Sequence, residues 1–135
     1  MFIKLLLISA LMGVVFGKDC LSCICDKESN CTPAPCKPDK GSDSCGYFQI
    51  KLPYYIDCGK PDKRPGESDI TAWQRCSLDL NCATTCVNNY IKRYSKLCPQ
   101  YSGCEQIARL HNGGPYGCNK HATDGYWNAI KKCSG

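Results

Sequence analysis

Fourteen cysteines stand between positions 20 and 133 of a 135-residue chain, and none stands before them. They are Cys20, Cys23, Cys25, Cys31, Cys36, Cys45, Cys58, Cys76, Cys82, Cys86, Cys98, Cys104, Cys118 and Cys133. An even number at this density marks a scaffold stapled by up to seven disulfides. Spacing alone does not say which thiols pair, because fourteen allow on the order of 10⁵ connectivities. The triplet Cys20-x-x-Cys23-x-Cys25 also has the form of a metal or redox motif.

The N-terminus decides between these. Met1 to about Gly17 carry one cation, Lys4, then the apolar run LLLISALMGVVF, with Val15 and Gly17 at −3 and −1 of a cut. That is the pattern of a secretory signal peptide, too short and wrongly flanked for a membrane anchor. It implies an oxidising compartment, hence disulfides rather than a metal site. The expectation is one domain over residues 18–135, secreted, with no metal and no cofactor.

Beyond the leader, Leu, Ile, Val and Phe together number only fifteen. So few aliphatics do not hold a core by burial alone, and covalent staples replace it. The net charge of +5, one unit of it from Lys4, is too small to argue for disorder. It permits attraction to anionic surfaces such as bacterial walls. The composition excludes an intracellular enzyme. The absence of GxGxxG and GxxxxGK[ST] excludes a nucleotide-binding domain, and nothing points to nucleic acid. No heptads or repeats are present.

Local patterns predict a mostly helical domain with a small β element inserted early. Asp19 is placed to cap a helix over CLSCICDKES. Residues 31–44 form a turn-rich loop with three prolines. CGYFQIKL alternates, with Gly46, Phe48, Ile50 and Leu52 on one side, which predicts a strand ended by Pro53. Ile70–Cys76 reads as one or two helical turns, and residues 79–97 as the longest helix. Ser102-Gly-Cys-Glu105 has the form of a capping box for a helix that Gly113 and Gly114 end. Thr123 is placed to cap a last helix carrying Tyr126, Trp127 and Ile130.

Two constellations could carry chemistry. Glu28 shares a helix face with Leu21 and Ile24, where desolvation favours a protonated carboxyl fit for general acid work. Asp39 follows eleven residues later, and Lys37, Lys40 and turn N–H groups around Gly41 favour its charged form. Carboxyls in contrasting settings are the acid and nucleophile of a retaining glycosidase, about 5–5.5 Å apart. The other constellation is a serine, Ser29 or Ser44, with His111 or a lysine as base. No GxSxG elbow supports it.

The blocks CLSCICDKESNC, SCGYFQIKLPYYIDC, CATTCVNNYIKRY and HNGGPYGC, with a late YW, resemble the invertebrate-type lysozyme, or destabilase, family. The resemblance runs from Cys20 to about Cys133. It implies a lysozyme-like α+β fold, with a cleft between a helical part and a small antiparallel sheet. It implies a muramidase that cleaves β-1,4 links between N-acetylmuramic acid and N-acetylglucosamine in bacterial peptidoglycan, in defence or digestion. By motif position Glu28 is the proton donor and Asp39 the nucleophile. Lys51, Leu52, Pro53, Tyr54, Tyr55, Ile56 and Asp57 fall on the family's substrate-contacting stretch. Arg93, His111, Asn112 and Gly113 are further cleft candidates. Tyr rings stack on apolar sugar faces while amide and imidazole groups bond sugar substituents.

Two features depart from the family pattern. Pro38 directly precedes Asp39, and Asn30 creates a glycosylation sequon, Asn30-Cys31-Thr32, expected to be unused. The expected partner is peptidoglycan, met by a monomer without a membrane anchor, with a dimer as the alternative. The compartment is extracellular, a gut lumen or lysosome-related space included. Alternatives are isopeptide or chitin hydrolysis, or a non-enzymatic, disulfide-rich antimicrobial protein. Isopeptide cleavage needs a Ser or Thr beside a base, and the sequence places none.

Overall fold

A computed structural model of the chain describes residues 17–135. The expected leader therefore lies outside the described residues, except for Gly17. Among the described residues, six α-helices, three short 3-10 turns and one two-stranded antiparallel sheet make up the regular structure: α1 (Cys20–Ser29), β1 (Lys37–Asp39), β2 (Ser42–Ser44), α2 (Leu52–Asp57), α3 (Asp69–Ser77), α4 (Leu80–Tyr94), α5 (Gly103–Gly113) and α6 (Asp124–Ser134). The class is the expected one, helical with a small β element early, while α2 is a helix that the sequence patterns did not predict.

Helix α1 starts as its sequence dictates. The Asp19 carboxylate accepts the Ser22 N–H at 2.9 Å, which satisfies a donor that has no partner within the helix. It ends at Asn30, whose φ of 54° is left-handed, a conformation Asn tolerates better than most residues. Ser68 and Asp79 cap α3 and α4 in the same way. Pro53 lies in the first turn of α2, where a missing N–H costs nothing.

Pro53 therefore opens a helix and does not end a strand. Residues 45–52 are not a strand. Cys45 and Ile50 exchange both backbone hydrogen bonds, at 3.0 and 2.9 Å, and close a tight turn. Gly46 has φ 75° and Gln49 φ 51°, values that a strand excludes. Gly46 is required here, because a Cβ would lie 1.7 Å from the Ser77 carbonyl oxygen. The alternation arose because the turn tucks Phe48 and Ile50 into the core. The sheet forms instead within the proline-rich loop, with Lys37 opposite Ser44 and Asp39 opposite Ser42. Its two-residue connection, Lys40-Gly41, has positive φ at both positions, the turn that matches the twist of a hairpin.

The capping box also fails. Ser102 makes no side-chain cap, and Gly103 follows it at φ 60°. Glu105 turns instead to Arg109, accepting from Nε at 2.9 Å. Buried Arg109 also donates to Thr123 Oγ1 at 2.9 Å and to Asp124 at 2.5 Å. Thr123 therefore does not cap α6. Its hydroxyl hydrogen-bonds carbonyls of Gly117 and Lys120.

All fourteen cysteines are paired: 20–104, 23–133, 25–31, 36–45, 58–86, 76–82 and 98–118. The Cys20-x-x-Cys23-x-Cys25 triplet sends each thiol to a different partner, which leaves no thiolate for a metal. Half-cystines are themselves core residues: Cys23, Cys25, Cys45, Cys58, Cys76 and Cys86 are buried beside Ile24, Phe48, Ile50, Tyr55, Val87 and Ile130. Burial of sulfur and aromatic carbon supplies what the few aliphatics cannot.

Candidate active site

A cleft of about 330 Å³ opens between the hairpin and the helices, and both Glu28 and Asp39 line it. Glu28 comes from the last turn of α1, and Asp39 from the end of β1. The sides are completed by Ser44, Gln49, Lys51, Pro53, Tyr54, Asp57, Tyr90, His111, Asn112, Gly114 and Pro115.

The two carboxyls have different neighbours. Glu28 is half-buried, and its Oε2 lies 3.3 Å from His111 Nε2. The purely apolar setting expected from Leu21 and Ile24 is thus broken by an imidazole from α5. Asp39 is exposed and accepts a hydrogen bond from Ser44 Oγ at 3.0 Å. The cation beside it is Lys51, 3.9 Å from its carboxylate, not the expected Lys37 or Lys40. The Lys51 ammonium also donates to the Asp39 and Ser42 carbonyls and to Ser42 Oγ, the last at 2.7 Å. One side chain thereby ties both strands of the hairpin to the start of α2.

Tyrosines build the wall behind Glu28. Tyr54 stacks on Tyr90, centroids 3.6 Å apart, and its hydroxyl is 2.9 Å from His111 Nδ1. Burial is the main reason that the hydroxyls of Tyr54, Tyr90 and Tyr126 hold their protons well above the usual tyrosine range. The Glu28 carboxylate adds to this at Tyr54 and Tyr126.

Of the residues singled out from sequence, Lys51, Pro53, Tyr54, Asp57, His111 and Asn112 join the carboxyl pair in the cleft. Five do not. Leu52 packs against the core. Tyr55 is fully buried, and its hydroxyl donates to the Pro61 carbonyl at 2.9 Å. Ile56 faces solvent elsewhere. Gly113 packs against Thr123, whose Cγ2 lies 2.5 Å from where a Cβ would be. Arg93 donates to the Asp57 carbonyl at 3.2 Å and lines a separate shallow groove with Lys92 and Lys96. The physical reason is helical geometry: in a six-residue helix only Pro53, Tyr54 and Asp57 fall on the cleft face.

Tyr90, Gln49, Gly114 and Pro115 also line the cleft, although the sequence did not mark them as site residues. For Tyr90 a signal existed, a polar-tipped aromatic in the apolar stripe of α4. Ser44, weighed as a nucleophile, is in the cleft but bonds Asp39. Ser29 is not in the cleft, and its hydroxyl donates to the Tyr47 carbonyl at 2.7 Å, joining α1 to the 45–50 turn.

The chain is 53% identical to "Invertebrate-type lysozyme 3" of Caenorhabditis elegans, over all of this chain and 99% of that protein. It is 52% identical to "Lysozyme" of Meretrix lusoria, over 91% of this chain and 94% of that one. The crystal structure of Tapes japonica lysozyme superposes with a TM-score of 0.74 at 49% identity, covering 86% of this chain and 91% of that one. The fold is thus a disulfide-rich α+β lysozyme fold. The Destabilase family profile matches residues 17–133, and the chain belongs to the destabilase family.

Proposed function

We propose that the protein is a secreted muramidase that hydrolyses the β-1,4 link between N-acetylmuramic acid and N-acetylglucosamine of bacterial peptidoglycan with retention of configuration. The observation that carries the reading is the meeting of Glu28 and Asp39 in one cleft, from separate elements and among contrasting neighbours. The names of the relatives support the same chemistry.

In this mechanism Glu28 gives its proton to the glycosidic oxygen. Glu28 stands in the last turn of α1, at the edge of the cleft. Asp39 attacks the anomeric carbon, held by the Ser44 hydroxyl and the Lys51 ammonium. Water then resolves the intermediate with Glu28 as base. Asn112 and Gln49 offer amides to acetamido groups of the sugar, and Pro53 offers an apolar surface. The many disulfides suit a protein working outside the cell, in defence or in digestion of bacteria.

The test is clearing of a bacterial cell-wall suspension by the refolded mature protein. Glu28→Gln and Asp39→Asn are each expected to lose at least ~10²-fold in rate, the lower bound for removing a positioned acid or nucleophile. Equal clearing by Glu28→Gln and the parent protein would sink the assignment and point to membrane disruption.

One observation favours a second activity, isopeptide hydrolysis: Ser42 Oγ lies 2.7 Å from Lys51 Nζ at the hairpin edge. A serine beside a lysine is a nucleophile–base pair once the lysine is neutral. Ser42→Ala would abolish release of amine from an isopeptide substrate while Glu28→Gln spares it. Loss in both variants would mean one shared site.

A further inference from the structure

His111 is one of the few polar side chains that the fold buries, and both of its ring nitrogens are engaged by other elements. Nε2 lies 3.0 Å from the Phe48 carbonyl oxygen in the 45–50 turn. The same atom lies 3.3 Å from Glu28 Oε2 on α1. Nδ1 lies 2.9 Å from the Tyr54 hydroxyl on α2. A carbonyl oxygen only accepts, so Nε2 must carry a hydrogen. In the neutral ring Nδ1 is then the acceptor, and the Tyr54 hydroxyl donates to it. The tautomer is set from both sides, as a second hydrogen-bonding partner commonly sets it.

We propose that His111 is a positioning residue for Glu28, whose Nε2–H is shared between the Phe48 carbonyl and the Glu28 carboxyl and so holds that carboxyl through both of its protonation states. The proposal rests on Glu28 being the acid of the reaction. Among the described residues, His111 is the one hydrogen-bond partner of the Glu28 carboxyl. A general acid must be neutral before proton transfer and charged after it. When Glu28 is charged, it accepts from Nε2–H. When it is protonated, the same N–H stays satisfied by the Phe48 carbonyl. The imidazole N–H is thus not orphaned at either stage, and an orphaned buried donor is destabilising. The arrangement lets one side chain serve a group that changes charge during each turnover.

The rest of the pocket keeps the ring in place. Tyr54 is held by its stack on Tyr90 from α4. The Phe48 ring meets the imidazole edge-on at 6.3 Å. Tyr126 from α6 lies 6.5 Å away, with the Lys27 ammonium 5.5 Å from the centre of its ring. The ionisable groups facing His111 are therefore Glu28, Tyr54 and Tyr126, and burial keeps both phenols protonated.

The experiment compares His111→Leu, which fills the space without a donor, with His111→Gln, which restores an N–H near the Nε2 position. Tyr54→Phe and Glu28→Gln are measured beside them, with kcat and KM on a soluble N-acetylglucosamine–N-acetylmuramic acid oligosaccharide. His111→Leu is expected to lower kcat ~10²-fold, the scale of misplacing an acid, with KM changed by less than about threefold. His111→Gln is expected to recover at least about tenfold of that, and Tyr54→Phe to lose several-fold in kcat. A loss confined to KM, or no rescue by Gln, would overturn the proposal. If Glu28→Gln is inactive while His111→Leu keeps kcat, the His111 role falls and the Glu28 reading stands. If Glu28→Gln keeps kcat, both fall. Should His111→Leu not fold, nitrogen NMR of the parent protein decides. A neutral ring protonated at Nε2 supports the proposal, and one protonated at Nδ1 overturns it.

Discussion

The rings of Tyr54 and Tyr90 lie 3.6 Å apart and within 5° of parallel, α2 against α4. One face of Tyr54 is thereby taken by protein, and its hydroxyl is taken by His111. The stack fixes the cleft wall rather than offering a free platform to a sugar. Tyr90→Ala should destabilise the protein by about 3–5 kcal/mol, as for other large aromatic truncations. Tyr90→Phe, which keeps the stack, should cost far less. Denaturant unfolding measures both, and equal losses would mean that the hydroxyl, not the ring, matters.

The same burial predicts alkaline behaviour. Tyr54, Tyr90 and Tyr126 hold their protons above the usual tyrosine range. In the unfolded chain they ionise near about pH 10. Stability is therefore fully present below that pH and falls as pH rises beyond it, because the unfolded state releases protons first. Of the eight tyrosines, these three should ionise only as tertiary structure is lost. Tyrosinate absorbance followed beside near-UV circular dichroism checks this. Reversible ionisation of all eight before the dichroism changes would contradict it.

At the acid end, Glu67 behaves oppositely. Hydrogen bonds from Arg75, then from the Arg64 N–H, hold its carboxyl down at about 2. A lowered carboxyl contributes stability above the ordinary carboxylate range, and that contribution disappears as pH falls towards about 2. The melting-temperature gap between the parent protein and Glu67→Gln should be constant from neutral pH to about pH 5 and then shrink. A gap unchanged down to pH 2 would assign the contribution of Glu67 to packing rather than to its charge.

The disulfides should differ in worth. Cys23–Cys133 spans 110 positions and Cys25–Cys31 only 6. If the bridges act by restricting the unfolded chain, alanine replacement of the first pair should cost more, towards the upper part of about 2–5 kcal/mol. Paired alanine variants compared by thermal unfolding test this. A larger loss at Cys25–Cys31 would show that local geometry beside Glu28 outweighs chain entropy.

What was legible in the sequence follows from which forces were local. Asp19 before α1 and the apolar stripe of α4 carry their own caps and periodicity, and both helices form as expected. The 45–50 segment misled because its alternation reflects burial, while its backbone is set by Gly46 lying against Ser77, a contact distant in sequence. The Ser102–Glu105 box failed because Arg109 competes for Glu105 and is itself fixed by Asp124. Glu28 and Asp39 could be named from residue type and resemblance. Tyr55, Ile56 and Arg93 could not be separated from Tyr54 and Asp57 until the helix faces were known. The Ser42–Lys51 contact was hidden for a similar reason, since it depends on the hairpin folding back over nine residues.

Because Cys23 and Cys133 are joined, residues 23–133 form one covalent ring. A protease that cuts one peptide bond inside that ring opens it without releasing a fragment. The cut ends stay tethered, and α1 and α6 stay together with the Glu28 side of the cleft. The six other bridges tie segments of the chain in the same way, so a fragment leaves only when cuts fall on both sides of a stretch that no bridge holds.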